Sequence, residues 1–317
     1  MKFIVLGTSK FTIKGAEAIL DSGCEICAVI SMSKQILPLN SADMKGFALS
    51  NKIDYFEVAD INDSTSIDLM RKYNADYIFC SWPKMMKRES FSIPKHYTIG
   101  THPTDLPYNR GRHPLHWLID LGINETQISF FIIDEGVDTG RVLHKVPMQV
   151  HPTDTIGDLD ERINNLAYEG VRYLCDVLKK DPAYNGVAQD SLGNTWRKKT
   201  PHDVTIDLRM TADKILRIVR SFTAPYLCAN LIFEENIIKV CEASIVDYGI
   251  SKQELQRIEP GKILDIEERK IIVKADDSIV KLVTVEKIPE RLKTVRYIHP
   301  PTKYILEWYV ELSPQLI

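Results

Sequence analysis

Long apolar runs are missing from this chain of 317 residues: none approaches the roughly 20 residues that a membrane-crossing helix requires. The opening MKFIVLGTS is apolar for only about five residues, with no charged leader and no small-residue cleavage site, so it is expected to be a buried strand and not a targeting signal. Cysteine is scarce. Of six, only Cys24 and Cys27 are close, as CEIC, and the absence of a second CxxC disfavours a redox or zinc half-site there; core and edge thiols are expected. No charge of one sign dominates, with 40 basic against 43 acidic residues and a net charge of -3, so nothing in the composition asks for nucleic acid. Two glycine signatures are absent as well. Gly7 leads into TSKFTIKG instead of GxGxxG, the second strand ends in SMSK instead of an acidic residue, and no GxxxxGK occurs, which disfavours a dinucleotide or a phosphate loop. No internal repeat or low-complexity tract is present. These absences leave an ordinary soluble protein, expected in the cytoplasm.

What is present alternates. KFIVLG, a helical GAEAILDSG, ICAVIS, a helical MKGFALSNK, DYFEV, SIDLMRKYN and DYIFC follow one another with short loops, the pattern of a mostly parallel sheet covered on both faces, Rossmann-like in architecture. A helix PLHWLIDLG, strands TQISFFII and RVLHKVPMQV, and a long helix over 155–179 complete this part. Ile156, Leu159, Ile163, Leu166, Leu174 and Leu178 form a stripe on that helix expected to be core. The turn-rich stretch from Lys180 to Asp203 is expected to be a linker, and a helix TADKILRIVRSF followed by short strand-like runs suggests a small β-rich domain, an OB-like barrel. The expected division is a catalytic domain at 1–180, a linker at 181–201 and a β-rich domain at 202–317.

In such sheets ligands bind beyond the carboxyl ends of the strands. One of those ends carries IGTHPTDLPYNRGRHP, where His102 leaves a buried strand into a proline-stiffened turn. A lone histidine there is more often structural. Asp138, at the glycine-flanked turn EGVDTG, supplies a partner, because a carboxylate beside an imidazole fixes its tautomer and stabilises its charged form. A zinc site from His102, His113 and His116 is disfavoured, since the latter two are expected at a helix start facing elsewhere.

HPTDLPYNRGRHP resembles the HxSLLPxxRGxxP signature of the 10-formyltetrahydrofolate-dependent formyltransferases, and DEGVDTG resembles their DxGxDxG turn. By that resemblance His102 and Asp138 are catalytic. SWPKMM aligns with the loop that holds the folate, implying contacts from Trp82, Lys84, Met85 and Met86, with Asp134, Glu135, Gly136 and Val137 closing the other side. The co-substrate implied is 10-formyltetrahydrofolate, with no metal. One position departs: the family carries asparagine two residues before the histidine, and here Gly100 stands in its place. Loss of one such oxyanion donor costs on the order of a hundredfold in rate. Replacement by another donor is expected over loss of catalysis.

The acceptor implied is the amine of a nucleotide-linked amino-deoxy sugar. The second half is balanced in charge and the 31–45 loop is poor in arginine and lysine, which disfavours tRNA. The chain is too long for a glycinamide ribonucleotide enzyme and opens directly on its first strand, unlike the hydrolase branch. WRKKTPHDVTID and VRSFTAPYLCA are similar to second-domain stretches of sugar formyltransferases, implying substrate roles for Arg197, Asp203, Arg220 and Tyr226. Leu227 and Cys228 replace that motif's Pro-Gly. Ser9, Lys10, Thr104, Arg110 and Arg112 are further expected contacts, and a homodimer is compatible with the β-rich domain. The alternatives are a methionyl-tRNA formyltransferase and a catalytically inactive binder of folate or sugar nucleotide.

Overall fold

A computed structural model describes residues 1–303. The first half folds as β1 (Lys2–Gly7), α1 (Lys10–Asp21), β2 (Glu25–Met32), α2 (Met44–Ser50), β3 (Asp54–Val58), α3 (Ser64–Arg71), β4 (Tyr77–Ser81), α4 (Arg88–Phe91), β5 (Tyr97–His102), β6 (Arg110–Gly111), α5 (Pro114–Leu121), β7 (Glu125–Ile132), β8 (Val142–Gln149), α6 (Ile156–Lys180) and β9 (Thr195–Trp196). A seven-stranded sheet runs in the order β3-β2-β1-β4-β5-β7-β8. The strands from β3 to β5 in that order pair in parallel, whereas β5 pairs antiparallel with β7, and β7 with β8. Continuous apolar strands such as β1, buried from Phe3 to Gly7, fit a sheet covered on both faces. Strand order switches at β1, and the carboxyl ends of β1, β4 and β5 carry Gly7, Ser81 and His102 to one edge.

Two compact units result: residues 1–114, 125–149 and 160–197 form the first, and 115–124, 150–159 and 198 onward the second. Contacts run across the expected division in two places. Segments 115–124 and 150–159 belong with the second unit, because Asp120 is buried against Lys199 (2.6 Å) and Lys214, and His116 Nδ1 bonds the Ser221 carbonyl (2.5 Å). The stretch from Asp181 to Arg197 is no free linker: β9 pairs in parallel with β6, and Tyr184 donates to the Leu143 carbonyl (3.0 Å). Of the stripe expected on α6, Ile156, Leu159, Leu174 and Leu178 are buried. In the first unit the helix also buries Ala167, Val171 and Cys175, while Ile163 and Leu166 are only half-buried.

The second unit contains β10 (Thr205–Ile206), α7 (Ala212–Phe222), β11 (Ala229–Phe233), β12 (Asn236–Ile245), α8 (Lys252–Leu255), β13 (Ile263–Ile266), β14 (Lys270–Lys274), β15 (Ile279–Thr284) and α9 (Glu290–Lys293). Its sheet runs β10-β11-β12-β15-β14-β13 and, β10 apart, is antiparallel. The expected β-rich domain is thus present, and among the described residues no ladder joins β10 to β13. Its core packs Ile215, Ile218 and Val219 of α7 against Leu231, Val240, Val273 and Leu282. Thr211 caps α7 by accepting from Lys214 N.

The thiols of CEIC face different neighbours. Cys27 donates to the Phe3 carbonyl (3.1 Å) and burial pushes its pKa up to about 11, while a hydrogen bond from the Cys175 thiol brings Cys24 down to about 7. No helix among the described residues is long and apolar enough to cross a membrane, and none of their His, Cys, Asp and Glu side chains group in threes fit for a metal.

Candidate active site

His102 ends β5 with only 4% of its surface exposed. Its Nε2 lies 2.7 Å from the Asn109 carbonyl, and its Nδ1 lies 3.5 Å from Asp138 Oδ2. Both ring nitrogens therefore face acceptors. A neutral imidazole, with one N–H, satisfies one of them; the imidazolium satisfies both. The same Asp138 oxygen accepts from the Gly111 amide at 2.9 Å, which fixes the carboxylate from the other side.

The loop after His102 is built to hold this geometry. Ser129 on β7 donates to the Thr104 carbonyl (2.7 Å) and accepts from Leu106 N (3.1 Å), while Thr104 Oγ1 turns inward to the Tyr108 and Asn109 carbonyls. Thr104, expected to meet substrate, is wholly buried in this scaffold, where it supports the loop. Asn109, His113 and Asp138 all have left-handed backbones (φ 62°, 54° and 54°), a conformation uncommon for residues other than glycine. Such strain persists only where surrounding contacts over-determine it. Here the contacts come from the expected linker: Asn194 accepts from Asn109 N (2.9 Å), and Gln189 Nε2 donates to the carbonyls of Asp138 (2.8 Å) and Gly140 (2.7 Å). The amide oxygen of Gln189 accepts from Arg110 Nη2 at 2.7 Å. Arg110 is thus tied down, and Arg112 beside it is exposed. Gln189 and Asn194 carry no motif, and only tertiary contact reveals them.

At the 81–86 loop, Trp82 packs partly buried against the core beside Met86, and its Nε1 is buried without a hydrogen-bond partner. Met86 is 6% exposed and its sulfur lies 3.5 Å from Cys80, so its side chain is core. Lys84 and Met85 are exposed. Asn62 fastens the loop from outside, donating to the Met85 carbonyl (3.1 Å) and accepting from Lys87 N and Ser90 Oγ (each 2.7 Å). Across from it, Asp134 accepts from Gly136 N and Thr139 Oγ1, shaping the turn that leaves Glu135, Gly136 and Val137 exposed.

Gly100 shares the β5 face with His102. An added Cβ there meets Ile133 Cγ1 at 2.8 Å and Phe131 Cζ at 3.0 Å. The space beside the histidine is filled by apolar side chains, so no asparagine fits without displacement. At the end of β1, Ser9 bridges to Ser41, and Lys10 is exposed.

These motifs match known sequences. Residues 1–174 match the family described as formyl transferase, and residues 198–295 match the formyl transferase C-terminal domain. The chain belongs to the formyl transferase family. A methionyl-tRNA formyltransferase from Alkaliphilus oremlandii is 25% identical over 292 residues, covering 90% of this chain and 92% of the relative. Another from Ruminiclostridium cellulolyticum is 26% identical, covering 94% and 96%. Among solved structures, a sugar 3N-formyl transferase, WlaRD, crystallised with dTDP and 5-N-formyl-THF, superposes with a TM-score of 0.65 at 16% identity, covering 91% of this chain and 99% of that one. At that identity the likeness is one of fold.

In this formyl transferase the candidates from 197 to 226 take mixed positions. Asp203 accepts from Thr200 N (2.7 Å) and Oγ1 (2.9 Å) and so caps the turn Pro201–Val204. The Tyr226 ring meets the His116 ring edge-on at 4.6 Å, and Arg197 is exposed. Arg220 is half-buried on α7. Cys228, where the motif carries glycine, adopts φ 62°, so the left-handed turn is kept despite the side chain. His116 Nδ1 is engaged by the Ser221 carbonyl and its ring stacks on Phe222.

Proposed function

We propose that this formyl transferase moves a formyl group from 10-formyltetrahydrofolate to the amine of a nucleotide-linked amino-deoxy sugar. The His102–Asp138 pair at the sheet's carboxyl edge carries the reading. A neutral amine attacks the formyl carbon, the carbonyl oxygen becomes an oxyanion, and a proton leaves the attacking nitrogen as the folate nitrogen departs. Protonated His102 turns its Nε2–H from the Asn109 carbonyl to the oxyanion and gives that proton to the departing folate nitrogen; the neutral imidazole then takes the proton of the attacking amine, with Asp138 orienting the ring through Nδ1. With Gly100 giving no side-chain donor, His102 bears more of the oxyanion stabilisation than in relatives with asparagine. The exposed backbone of 83–85 and 135–137 offers the folate its polar contacts, and the unpartnered Trp82 Nε1 supplies a donor at its side.

The sugar acceptor is supported by the balanced charge of the second half and by the paucity of basic residues in the 31–45 loop. Ser9, Lys10, Arg112 and Arg197, all within reach of solvent, are proposed contacts. A second reading, methionyl-tRNA as acceptor, is favoured by the names of the sequence relatives. Release of tetrahydrofolate, followed by absorbance with a panel of dTDP-, UDP-, GDP- and CMP-linked amino sugars and with initiator methionyl-tRNA, decides between them. Turnover with one sugar nucleotide alone is expected; turnover with tRNA alone overturns the acceptor, and silence across the panel favours an inactive binder.

A further inference from the structure

The second unit holds a cleft of about 270 Å³ between the end of α5, the turn 122–124, the segment 150–152 and one face of α7. Arg217 and Arg220 enter it from α7, three positions apart and so on neighbouring faces of one turn. The Nε of each is buried and lacks a hydrogen-bond partner. Arg217 Nη2 reaches Asp213 at 2.7 Å, yet that carboxylate is 67% exposed and leaves both Nε groups unanswered. A buried donor left unmade costs about 1–3 kcal/mol, so two in one cleft call for an acceptor. Burial holds Arg220 below the usual guanidinium range; Arg217 pushes the same way, and Asp213 and Asp154 oppose. Gly122 is part of the arrangement. Its backbone is left-handed (φ 69°), and Arg217 Nη1 lies 2.8 Å from where a Cβ would stand, so the turn yields the guanidinium its place.

Besides the arginines the cleft is lined by apolar Leu118, Ile119 and Val150, by Asp213, and by Asn124 and His151, which are exposed. A carboxylate answers one guanidinium fork. A phosphate dianion bridges two and quenches their mutual repulsion. The volume lies just under the range of about 300–1,000 Å³ typical of small-molecule sites and exceeds what a bare anion fills.

We infer that this cleft binds a phosphate monoester with a small, uncharged, pentose-sized body, held by Arg217 and Arg220. The site uses none of the residues of the His102 centre and stands whichever acceptor that centre serves. Isothermal titration of the full chain with ribose 5-phosphate, inorganic phosphate and ribose, without folate or acceptor, tests it. Ribose 5-phosphate is expected to bind saturably, one per chain, at least tenfold more tightly than inorganic phosphate, and to weaken with added salt. Arg220→Gln is expected to lower affinity tenfold or more. Asn124→Asp, on an exposed turn where the fold is not at stake, is expected to weaken it by adding a negative charge to the lining. No saturable binding at millimolar ligand overturns the site, and equal affinity for inorganic phosphate overturns the organic body. Wild-type affinity in folded Arg220→Gln and Asn124→Asp proteins, checked by circular dichroism melting, removes these residues from any binding observed.

Discussion

At His102 the proposed chemistry depends on two atoms, Nδ1 toward Asp138 and Nε2 toward the Asn109 carbonyl. Changing His102→Ala is expected to lower turnover by about 10²–10⁴-fold, the usual contribution of a positioned proton carrier, while folate affinity measured by fluorescence titration stays within a few-fold. Gly100 makes a second prediction at this scale. Gly100→Asn places a side chain against Ile133 and Phe131, so the family's asparagine cannot simply be restored. The single variant is expected to lose about 1–3 kcal/mol in urea denaturation. The pair Gly100→Asn with Ile133→Ala is expected to recover stability and to exceed the single variant in turnover. Both residues of the His–Asp pair were legible in the sequence, because their motifs mark them. The apolar plug beside Gly100 was not, because it comes from β7 and its following turn, whose contact with β5 is made by sheet pairing.

Between elements, the decisive contact is the clamp of 189–196 on the catalytic loop. Turn-forming composition suggested a linker, and composition registers local propensity without registering which distant backbone groups a Gln189 amide meets. In the proposed reaction Gln189 is a positioning residue, acting through the backbone of Asp138 and through Arg110. Gln189→Ala is expected to reduce kcat by about tenfold or more through misplacement of the pair, with KM for folate changed less and the pH profile of kcat shifted. An unchanged kcat and pH profile in a folded variant assigns Gln189 a purely structural role. The strands and helices of the first unit were legible because their apolar periods are strong; on α6 four of six expected core positions are buried, and Ile163 and Leu166 are only half-buried because neighbours choose which apolar positions of a long helix are covered.

For the whole molecule, stability rests in part on polar groups carried deep into each unit. In the second unit Asp120 is 4% exposed between Lys199 and Lys214, and the Lys199 ammonium lies 3.7 Å over the Trp117 ring. Burial pulls the Lys199 pKa down, and Asp120 opposes it. Asp120→Asn strands a buried ammonium and is expected to cost about 3–5 kcal/mol, read as a lower melting midpoint. In the first unit, burial lowers the His144 pKa below 6.5, its ring stacking on Tyr173 with centroids 4.0 Å apart. The unfolded chain takes up that proton below pH 6.5 while the folded chain resists it, so this residue lowers stability as pH falls through that region. His144→Phe, which keeps an aromatic ring there, is expected to narrow the gap between urea midpoints at about pH 5 and about pH 7.5.

The sequence by itself determined the alternation that makes a mostly parallel sheet, the histidine and aspartate at its carboxyl edge, and membership of the formyl transferase family, since each is written in short-range pattern or motif. Tertiary structure decided where the units divide, that Thr104 and Met86 turn inward, what fills the place of the missing asparagine, and that two arginines share one cleft. The physical reason is one of range. Periodicity and turn chemistry act within a few residues, but burial and hydrogen-bond satisfaction are settled by partners that only the folded chain brings together.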